Sequence, residues 1–248
     1  MHTGTNRDVV DHGMGGITRV FDDTLRQLTT PESADKPQVL PSWPDTVALL
    51  HDLHGLLLTP MDQEDARATL NRVVKALETQ LEICARTDNV STLVSEFLAE
   101  LPGIKQALVA DVHAALRCDP AAVSGEEIAL CYPGMRALAI YRVAHVLYQL
   151  EVPLLPRLMT EIGHSASGID IHPGAKIGRR FFIDHGTGIV IGATCVIGND
   201  VKIYQGVTLG ARSFPQSTDG RVIRDQQRHP SIGDNVTIFA GATILGRV

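Results

Sequence analysis

Apolar residues in the first two thirds of the chain recur at spacings of three and four, the pattern of amphipathic helices. Ser42 and Asp45 form a candidate capping box before a leucine stripe that runs to Leu57. A second stripe comprises Leu70, Val73, Val74, Leu77, Leu81 and Cys84. Further helices are predicted over 90–101, 103–116 and 134 to about 159, the last interrupted near Pro153 and Pro156. Residues 42–165 are therefore predicted to form an α-helical domain, and the polar residues 1–41 a loosely ordered arm with one short helix near Val20–Leu28.

The apolar pattern changes at Ile169 to a period of six residues. Its aliphatic positions are Ile171, Ile177, Ile183 and Ile189, then, after a two-residue offset, Ile191, Ile197, Ile203 and Leu209, and finally Ile232, Ile238 and Ile244. Small or β-branched residues follow four positions after most of them, at Ala175, Thr187, Cys195, Val201, Val207, Val236 and Ala242. Such hexapeptide repeats are typical of a parallel β-helix, whose triangular coils point the aliphatic residue inward and the small one into a corner. An ordinary buried strand has a period of two and would not keep this phase. The fold class is therefore predicted as α+β, with an all-α domain before a parallel β-helix over 166–248.

The repeat is interrupted between Ala211 and Ser231 by a charged, turn-rich segment. A solenoid tolerates insertions that leave on one face, and such loops commonly carry function. Residues 212–230 are therefore predicted to form a loop extruded beside the active site.

Charge and cysteine content narrow the class of protein. The net charge of -6 gives no indication of a basic surface that would bind nucleic acid or an anionic membrane. The four cysteines show no paired spacing, which favours reduced core thiols over a zinc site or disulfides. No apolar run is long enough for a membrane span. These features predict a cytoplasmic protein with a small-molecule or protein partner and without a metal.

The best candidate for chemistry is His185. Ile183 points inward, so His185 faces outward from a rigid coil, where a neutral imidazole could act as general base toward a hydroxyl. A carboxylate at Asp170, on an earlier coil, could fix the ring tautomer and stabilise the imidazolium. Cys195 occupies a corner position of the repeat, which favours a packed thiol over a covalent nucleophile.

Six segments resemble the serine acetyltransferases, a family of hexapeptide-repeat acyltransferases. They are GIDIHPGAKIG, DHGTGIVIG, VTLGA and RHPSIG in the repeat region, and CDPA and GMRALAIYRVAHVLY before it. The resemblance runs from about Leu116 to the end of the chain and is only loose over residues 1–100. It implies a left-handed coil, although right-handed crossovers dominate elsewhere.

The resemblance also implies a reaction, the transfer of acetyl from acetyl-CoA to the hydroxyl of L-serine to give O-acetyl-L-serine for cysteine biosynthesis. Asp119 and Asp184 would hold the serine ammonium, Arg228 its carboxylate, and His229 would lie near its hydroxyl or carboxylate. His185 would pass the hydroxyl proton to the departing thiolate without an acyl-enzyme. The groove for acetyl-CoA is expected along Gly210, Ala211, Ala240 and Gly241.

Family members form trimers or dimers of trimers with sites between subunits, and the resemblance implies inhibition by L-cysteine at the serine site. The chain departs from the family pattern in three places, which limits how far the family's properties can be assigned to it. The loop over 212–228 is long, Phe239 replaces a small residue near the coenzyme groove, and the repeat stops in mid-coil at Val248. We therefore expect a shortened chain without the tail that docks into O-acetylserine sulfhydrylase, and that enzyme is not a predicted partner.

Three other functions remain open from the sequence. The first is acyl transfer to another hydroxyl, of homoserine or a sugar, although a sugar needs no charged clamp of this kind. The second is a β-helical carbonic anhydrase with metal ligands among His172, His185 and His229. The third is a catalytically idle trimeric scaffold, in which loss of His185 would change only stability.

Overall fold

A computed structural model of the chain describes residues 14–29, 40–85, 89–214, 217–223 and 226–247. The chain divides into two units, Met1–Val39 and Leu40–Val248. In the first unit α1 spans Met14–Thr29, which confirms the helix predicted near Val20–Leu28 and extends it at both ends. The rest of the predicted arm lies largely outside the described residues.

The second unit begins with six further helices. They are α2 (Trp43–Leu58), α3 (Gln63–Cys84), α4 (Val90–Cys118), α5 (Gly125–Cys131), α6 (Pro133–Gln149) and α7 (Leu155–Ser167). The Ser42 hydroxyl accepts a hydrogen bond from the Asp45 N–H, which confirms the predicted start of α2. Leu49, Leu53 and Leu77 are almost fully buried where α2 packs on α3. The predicted stripes are thus the core faces of the helices.

The helices differ from the sequence prediction in three places. α4 continues through Pro102, where two helices were predicted, because Phe97 and Ile104 are buried on either side of the proline and hold both halves against the core. The short helix α5 was not predicted. α7 runs on to Ser167 instead of ending near Met159, and ends where Gly168 takes a left-handed conformation with φ 70°.

The remaining residues form a three-sided coil of parallel strands. In order they are β1 (Asp170–Ile171), β2 (Lys176–Ile177), β3 (Phe182–Asp184), β4 (Val190–Ile191), β5 (Val196–Ile197), β6 (Lys202–Tyr204), β7 (Thr208–Gly210), β8 (Ser231–Ile232), β9 (Thr237–Ile238) and β10 (Thr243–Leu245). Each strand pairs with the third strand after it, which gives a first face (β1, β4, β7, β10), a second face (β2, β5, β8) and a third face (β3, β6, β9). Parallel strands in three faces confirm the predicted coil.

The six-residue spacing predicted from the sequence agrees with the structure over most of the coil but is wrong at one turn. Ile183 and Ile203 stand in register and are buried, as predicted. Ile189, however, is buried just before β4, as Val207 is before β7, whereas Thr187 is exposed. The two extra residues therefore lie before Ile189, in the turn between β3 and β4, and enlarge the turn that contains His185.

Two corners of the coil matter for the site. We call the turns from the third face to the first (185–189, 205–207 and 239–242) the His185 corner. We call the turns from the first face to the second (172–175, 192–195 and 211–230) the loop corner. The irregular segment after Ala211 leaves the coil there, between β7 and β8.

Side chains of α4 and α6 bind the backbone of the first coil. The Tyr141 hydroxyl donates to the Ala175 carbonyl at 2.6 Å, and Arg142 donates to the Gly178 carbonyl at 2.8 Å. Asp111, which is fully buried, accepts from the Phe181 N–H at 2.9 Å and pairs with Arg142 at 2.7 Å. The helices thus form one end of the solenoid.

The four cysteines are all free, but only two of them are core residues. Cys84 and Cys195 are buried, and burial raises the pKa of the Cys195 thiol to about 12. Cys118 and Cys131 are exposed, so the prediction of core thiols is wrong for these two, which lie at the last residues of α4 and α5. In the part of the chain that is described, no helix is both long and apolar enough to cross a membrane.

Candidate active site

Apart from Asp170, the site residues predicted from the sequence fall into two groups at opposite ends of the first face. Asp184 and His185 lie at the His185 corner, whereas Arg228 and His229 lie at the loop corner.

His185 stands in the enlarged turn after β3, with a left-handed φ of 56°. Its side chain is 78% exposed, and its Nε2 lies 3.7 Å from Oδ1 of Asp184, whose side chain is only 19% exposed. An imidazole in this position has access to a ligand in solution and a carboxylate beside it. A general base needs the first, and the second can stabilise the imidazolium while the base holds the proton.

Asp170 lies elsewhere on the coil, in β1 on the first face, and is half-buried. Among the described residues no hydrogen bond or ion pair joins Asp170 to His185, and the carboxylate beside the imidazole is that of Asp184. The role of Asp170 stays a prediction.

Asp119 is brought to the same group from the helical region. It follows the last residue of α4, and its carboxylate accepts from the Tyr132 hydroxyl at 2.6 Å and from the Ala121 N–H at 2.8 Å. The Tyr132 hydrogen bond, followed by the Ala121 N–H, lowers the pKa of Asp119, and a smaller contribution comes from the charge of His185. The same hydrogen bond raises the pKa of Tyr132 to about 12. Asp119 is thus held as an anion near His185.

Lys202 completes this group and was not predicted from the sequence. Its Nζ donates to the Cys118 carbonyl at 3.2 Å and lies 4.9 Å from the centre of the Tyr204 ring. Tyr204 stands in register with Asp184 on the third face. A signal was present, since the inward Ile203 places Lys202 and Tyr204 on the outer side of that face.

His229 is the buried member of the second group, only 7% exposed. Thr194 donates to its Nδ1 from the backbone N–H at 3.1 Å, and the Thr194 hydroxyl lies 2.8 Å from the same atom. Burial, followed by the charge of Arg228, lowers the pKa of His229. Arg228 is half-buried, and its N–H donates to the Thr194 hydroxyl at 3.0 Å. The end of the loop is therefore bound to the coil at Thr194.

His172 lies at the same corner, one coil earlier, where Gly174 N–H donates to its Nδ1 at 3.0 Å. Burial lowers the pKa of His172 to about 4, with smaller contributions from nearby cations that include Arg228. Among the described residues, no group of three or more His, Cys, Asp and Glu side chains is placed to hold a metal ion. His185 in particular lies at the other end of the face from His172 and His229.

The four residues predicted for the acetyl-CoA groove are also divided between the two corners. Gly210 ends β7 and leads with Ala211 into the loop corner, whereas Ala240 and Gly241 are exposed in the His185 corner. Phe239, before Ala240, is 69% exposed and stacks on Tyr204 with ring centres 5.6 Å apart. One chain therefore does not gather these four residues in one place.

Comparisons with known proteins agree on one family. No protein-family model matches the chain. Over 162 residues it is 57% identical to the plasmid serine acetyltransferase of Synechococcus elongatus, a match that covers 65% of this chain and 51% of that protein. The crystal structure of serine acetyltransferase 1 from Entamoeba histolytica in complex with L-cysteine is 36% identical with a TM-score of 0.72, and covers 90% of this chain and 84% of that one.

A solved serine acetyltransferase in complex with CoA is 29% identical with a TM-score of 0.54, and covers 83% of this chain and 85% of that one. The chain spans about half the length of the curated relatives it matches, 51% and 54% for two of them.

Proposed function

Since the chain belongs to the serine acetyltransferase family, we propose that it transfers the acetyl group of acetyl-CoA to the hydroxyl of L-serine. The observation that carries the proposal is the exposed His185 beside Asp184 and Asp119, in a chain that is 57% identical to a serine acetyltransferase over 162 residues. The product is O-acetyl-L-serine, a precursor for cysteine biosynthesis. CoA in complex with a structural neighbour supports the acetyl donor.

The proposed chemistry is direct attack in a ternary complex. His185 takes the proton of the serine hydroxyl, the oxygen attacks the thioester carbonyl, and His185 gives the proton to the departing sulfur. Asp184 lies close enough to stabilise the imidazolium in between, and Asp170 is kept as a second candidate for that role. Cys195 is buried, and its raised pKa keeps the thiol protonated and therefore a poor nucleophile. We propose no acyl-enzyme on this thiol.

The charged side chains of the two groups suit an acceptor that carries both an ammonium and a carboxylate. We propose that Asp119 and Asp184 bind the serine ammonium, while Arg228 binds the carboxylate and His229 lies beside it. L-cysteine carries the same ammonium and carboxylate, and the Entamoeba histolytica protein was crystallised with it. We therefore propose that cysteine competes with serine.

The division of the site between two corners supports an oligomeric enzyme. In a cyclic trimer each interface joins two different surfaces, so the His185 corner of one subunit can face the loop corner of the next. We propose that serine and acetyl-CoA bind in this interface, with Gly210 and Ala211 from one subunit and Ala240 and Gly241 from the other. A dimer of trimers remains a prediction.

The coil itself is proposed to be left-handed, as in the family, and the domain limits 1–41, 42–165 and 166–248, with the loop over 212–230, are retained as predictions. A cytoplasmic location is likewise a prediction.

The test is the release of free CoA thiol from acetyl-CoA with L-serine, L-homoserine, a sugar or no acceptor. Serine-dependent release should fall by about 10²-fold or more in His185→Ala, because the general base is lost. His113→Ala is the matched control, since His113 is exposed on α4, and should retain activity. A folded wild-type oligomer that releases thiol only with homoserine or a sugar would refute serine as the acceptor. Equal rates in wild type and His185→Ala would refute the role of the histidine.

A further inference from the structure

The contacts of Thr194 determine where the protons of its network lie. The Thr194 hydroxyl oxygen is 3.0 Å from the Arg228 N–H nitrogen and 3.1 Å from the His229 N–H nitrogen. Both amides can only donate, so they occupy the two acceptor positions of the hydroxyl. The hydroxyl proton is then free to point at His229 Nδ1, which is 2.8 Å away.

His229 Nδ1 therefore receives two donors. The second is the backbone N–H of Thr194 at 3.1 Å, and a backbone N–H cannot accept. Nδ1 must be the unprotonated nitrogen, so the neutral ring carries its proton on Nε2. Burial and the charge of Arg228 lower the pKa of His229, which favours this neutral ring over the imidazolium.

The ring of His229 is also closely packed, and its contacts distinguish its two orientations. Gly192 stands at the same corner, and a Cβ built on it would overlap Cδ2 and Nε2 of His229, so the ring occupies the space that a side chain would take. Turning the ring by half a rotation would exchange Nδ1 for Cδ2 and place a C–H against both Thr194 donors. The contacts thus select one orientation and one tautomer.

We propose that Thr194 is a positioning residue that fixes His229 as an Nε2–H hydrogen-bond donor toward a substrate oxygen. This inference rests on the proposed function. It assigns the two histidines of the site opposite roles: His185 accepts a proton, and His229 donates a hydrogen bond to the serine carboxylate or to the thioester carbonyl and does not act as a base.

The tautomer is measured directly by ¹⁵N NMR of the full chain with ¹⁵N-labelled histidine at neutral pH, with His229→Gln used to assign the signals. We expect a proton on Nε2 and none on Nδ1 in the wild type. A proton on Nδ1, or an imidazolium, would overturn the proposal whatever the activity.

Two variants separate positioning from packing. Thr194→Val keeps the shape but removes the hydroxyl, which leaves the backbone N–H as the one Thr194 donor to Nδ1. It should reduce kcat by about 10-fold and lower the population of the Nε2–H form without abolishing it. Thr194→Ser keeps the hydroxyl and should restore both the rate and the tautomer. Wild-type tautomer and kcat in Thr194→Val would overturn the proposal.

The same measurements distinguish this inference from the proposed function. If wild-type protein shows the Nε2–H form and the two variants shift and restore it, but no protein releases thiol with serine, the proposed reaction fails and the positioning role stands. Thermal unfolding of each variant, run in parallel, reports whether the loop end still binds the coil. If Thr194→Val is destabilised, the wild-type tautomer still decides the proposal.

Discussion

Asp111→Ala should destabilise the protein more than any surface substitution, because the carboxylate joins three segments. Asp111 is 0% exposed and accepts from Arg142 Nε at 2.8 Å and from the Phe181 N–H at 2.9 Å. Arg142, 9% exposed, cannot lose its proton. Truncation of Asp111 therefore leaves a buried guanidinium and a buried amide without their acceptor.

The expected loss is about 4 kcal/mol. Removing one partner of a buried ion pair costs about 3–5 kcal/mol, and the amide of Phe181 adds about 1 kcal/mol, offset in part by the remaining bond from Arg142 to the Gly178 carbonyl. A domain is stable by only about 5–15 kcal/mol, so this is a large part of the total.

Arg142→Met provides an internal comparison. Burial already raises the pKa of Asp111 to about 6 despite Arg142, so without the arginine the carboxyl can remain protonated in the folded state. A raised carboxyl pKa makes the folded state bind more protons than the unfolded state, so stability falls as pH rises. The cost of Arg142→Met should therefore be smaller at pH 5 than at pH 8, whereas that of Asp111→Ala should not shrink at low pH.

The assay is urea unfolding followed by circular dichroism, at one protein concentration because an oligomer gains stability by mass action. Arg221→Ala is the control, since Arg221 lies 3.4 Å from Asp219 at the surface and its side chain is 87% exposed. Exposed pairs contribute little, so this variant should unfold like the wild type. A change of less than about 1 kcal/mol in Asp111→Ala, or a cost of Arg142→Met that is the same at pH 5 and pH 8, would refute the reasoning.

Three further predictions concern the site. Tyr132→Phe removes the hydroxyl that holds Asp119, so KM for serine should rise by about 3- to 10-fold in steady-state kinetics with little change in kcat. Gly192→Ala should displace the His229 ring and lower kcat by about 10²-fold, measured by thiol release, because misplacement by about 1 Å has such an effect. Burial lowers the pKa of His172 from 6.5 to about 4, so the unfolded chain binds a proton that the folded chain excludes in this range. The contribution of neutral His172 to stability is therefore fully present above pH 6.5 and should be lost as the pH falls toward about 4. Over this range the free energy of unfolding should fall more steeply in wild type than in His172→Gln.

Each of these predictions has a result that contradicts it. For Tyr132 it is an unchanged KM together with a reduced kcat. For Gly192 it is equal activity in Gly192→Ala and in Gly233→Ala, the control with open space where its Cβ would lie. For His172 it is an identical dependence of unfolding free energy on pH in wild type and variant.

The repeat could be predicted from the sequence because its cause is local. Each buried aliphatic side chain, such as Ile183 or Ile203, fills one side of a coil, and a fixed number of residues separates the sides. The same pattern cannot locate an insertion within a turn, because Thr187 and Ile189 fit the corner position equally well by residue type. Only the packing of the inner residues shows that Ile189 takes it.

The contacts that arrange the site could not be read in this way. Tyr132 meets Asp119 across the turn after α4 and the whole of α5, and Thr194 meets His229 across the whole inserted loop. Neither pair has a recurring spacing. Pro102 shows the converse, since a local helix breaker was overridden by the packing of the helix around it.

The attachment of the first coil to α4 and α6 has a consequence for the order of folding. A growing chain folds from its N-terminal part first, so the helices leave the ribosome before the strands and offer Tyr141 and Asp111 as bonding partners to the first coil. Each later coil then grows on its predecessor, because a solenoid makes contacts only between neighbours. During synthesis helical structure should therefore form before strands, and a defect at Asp111 should delay every coil rather than the first alone.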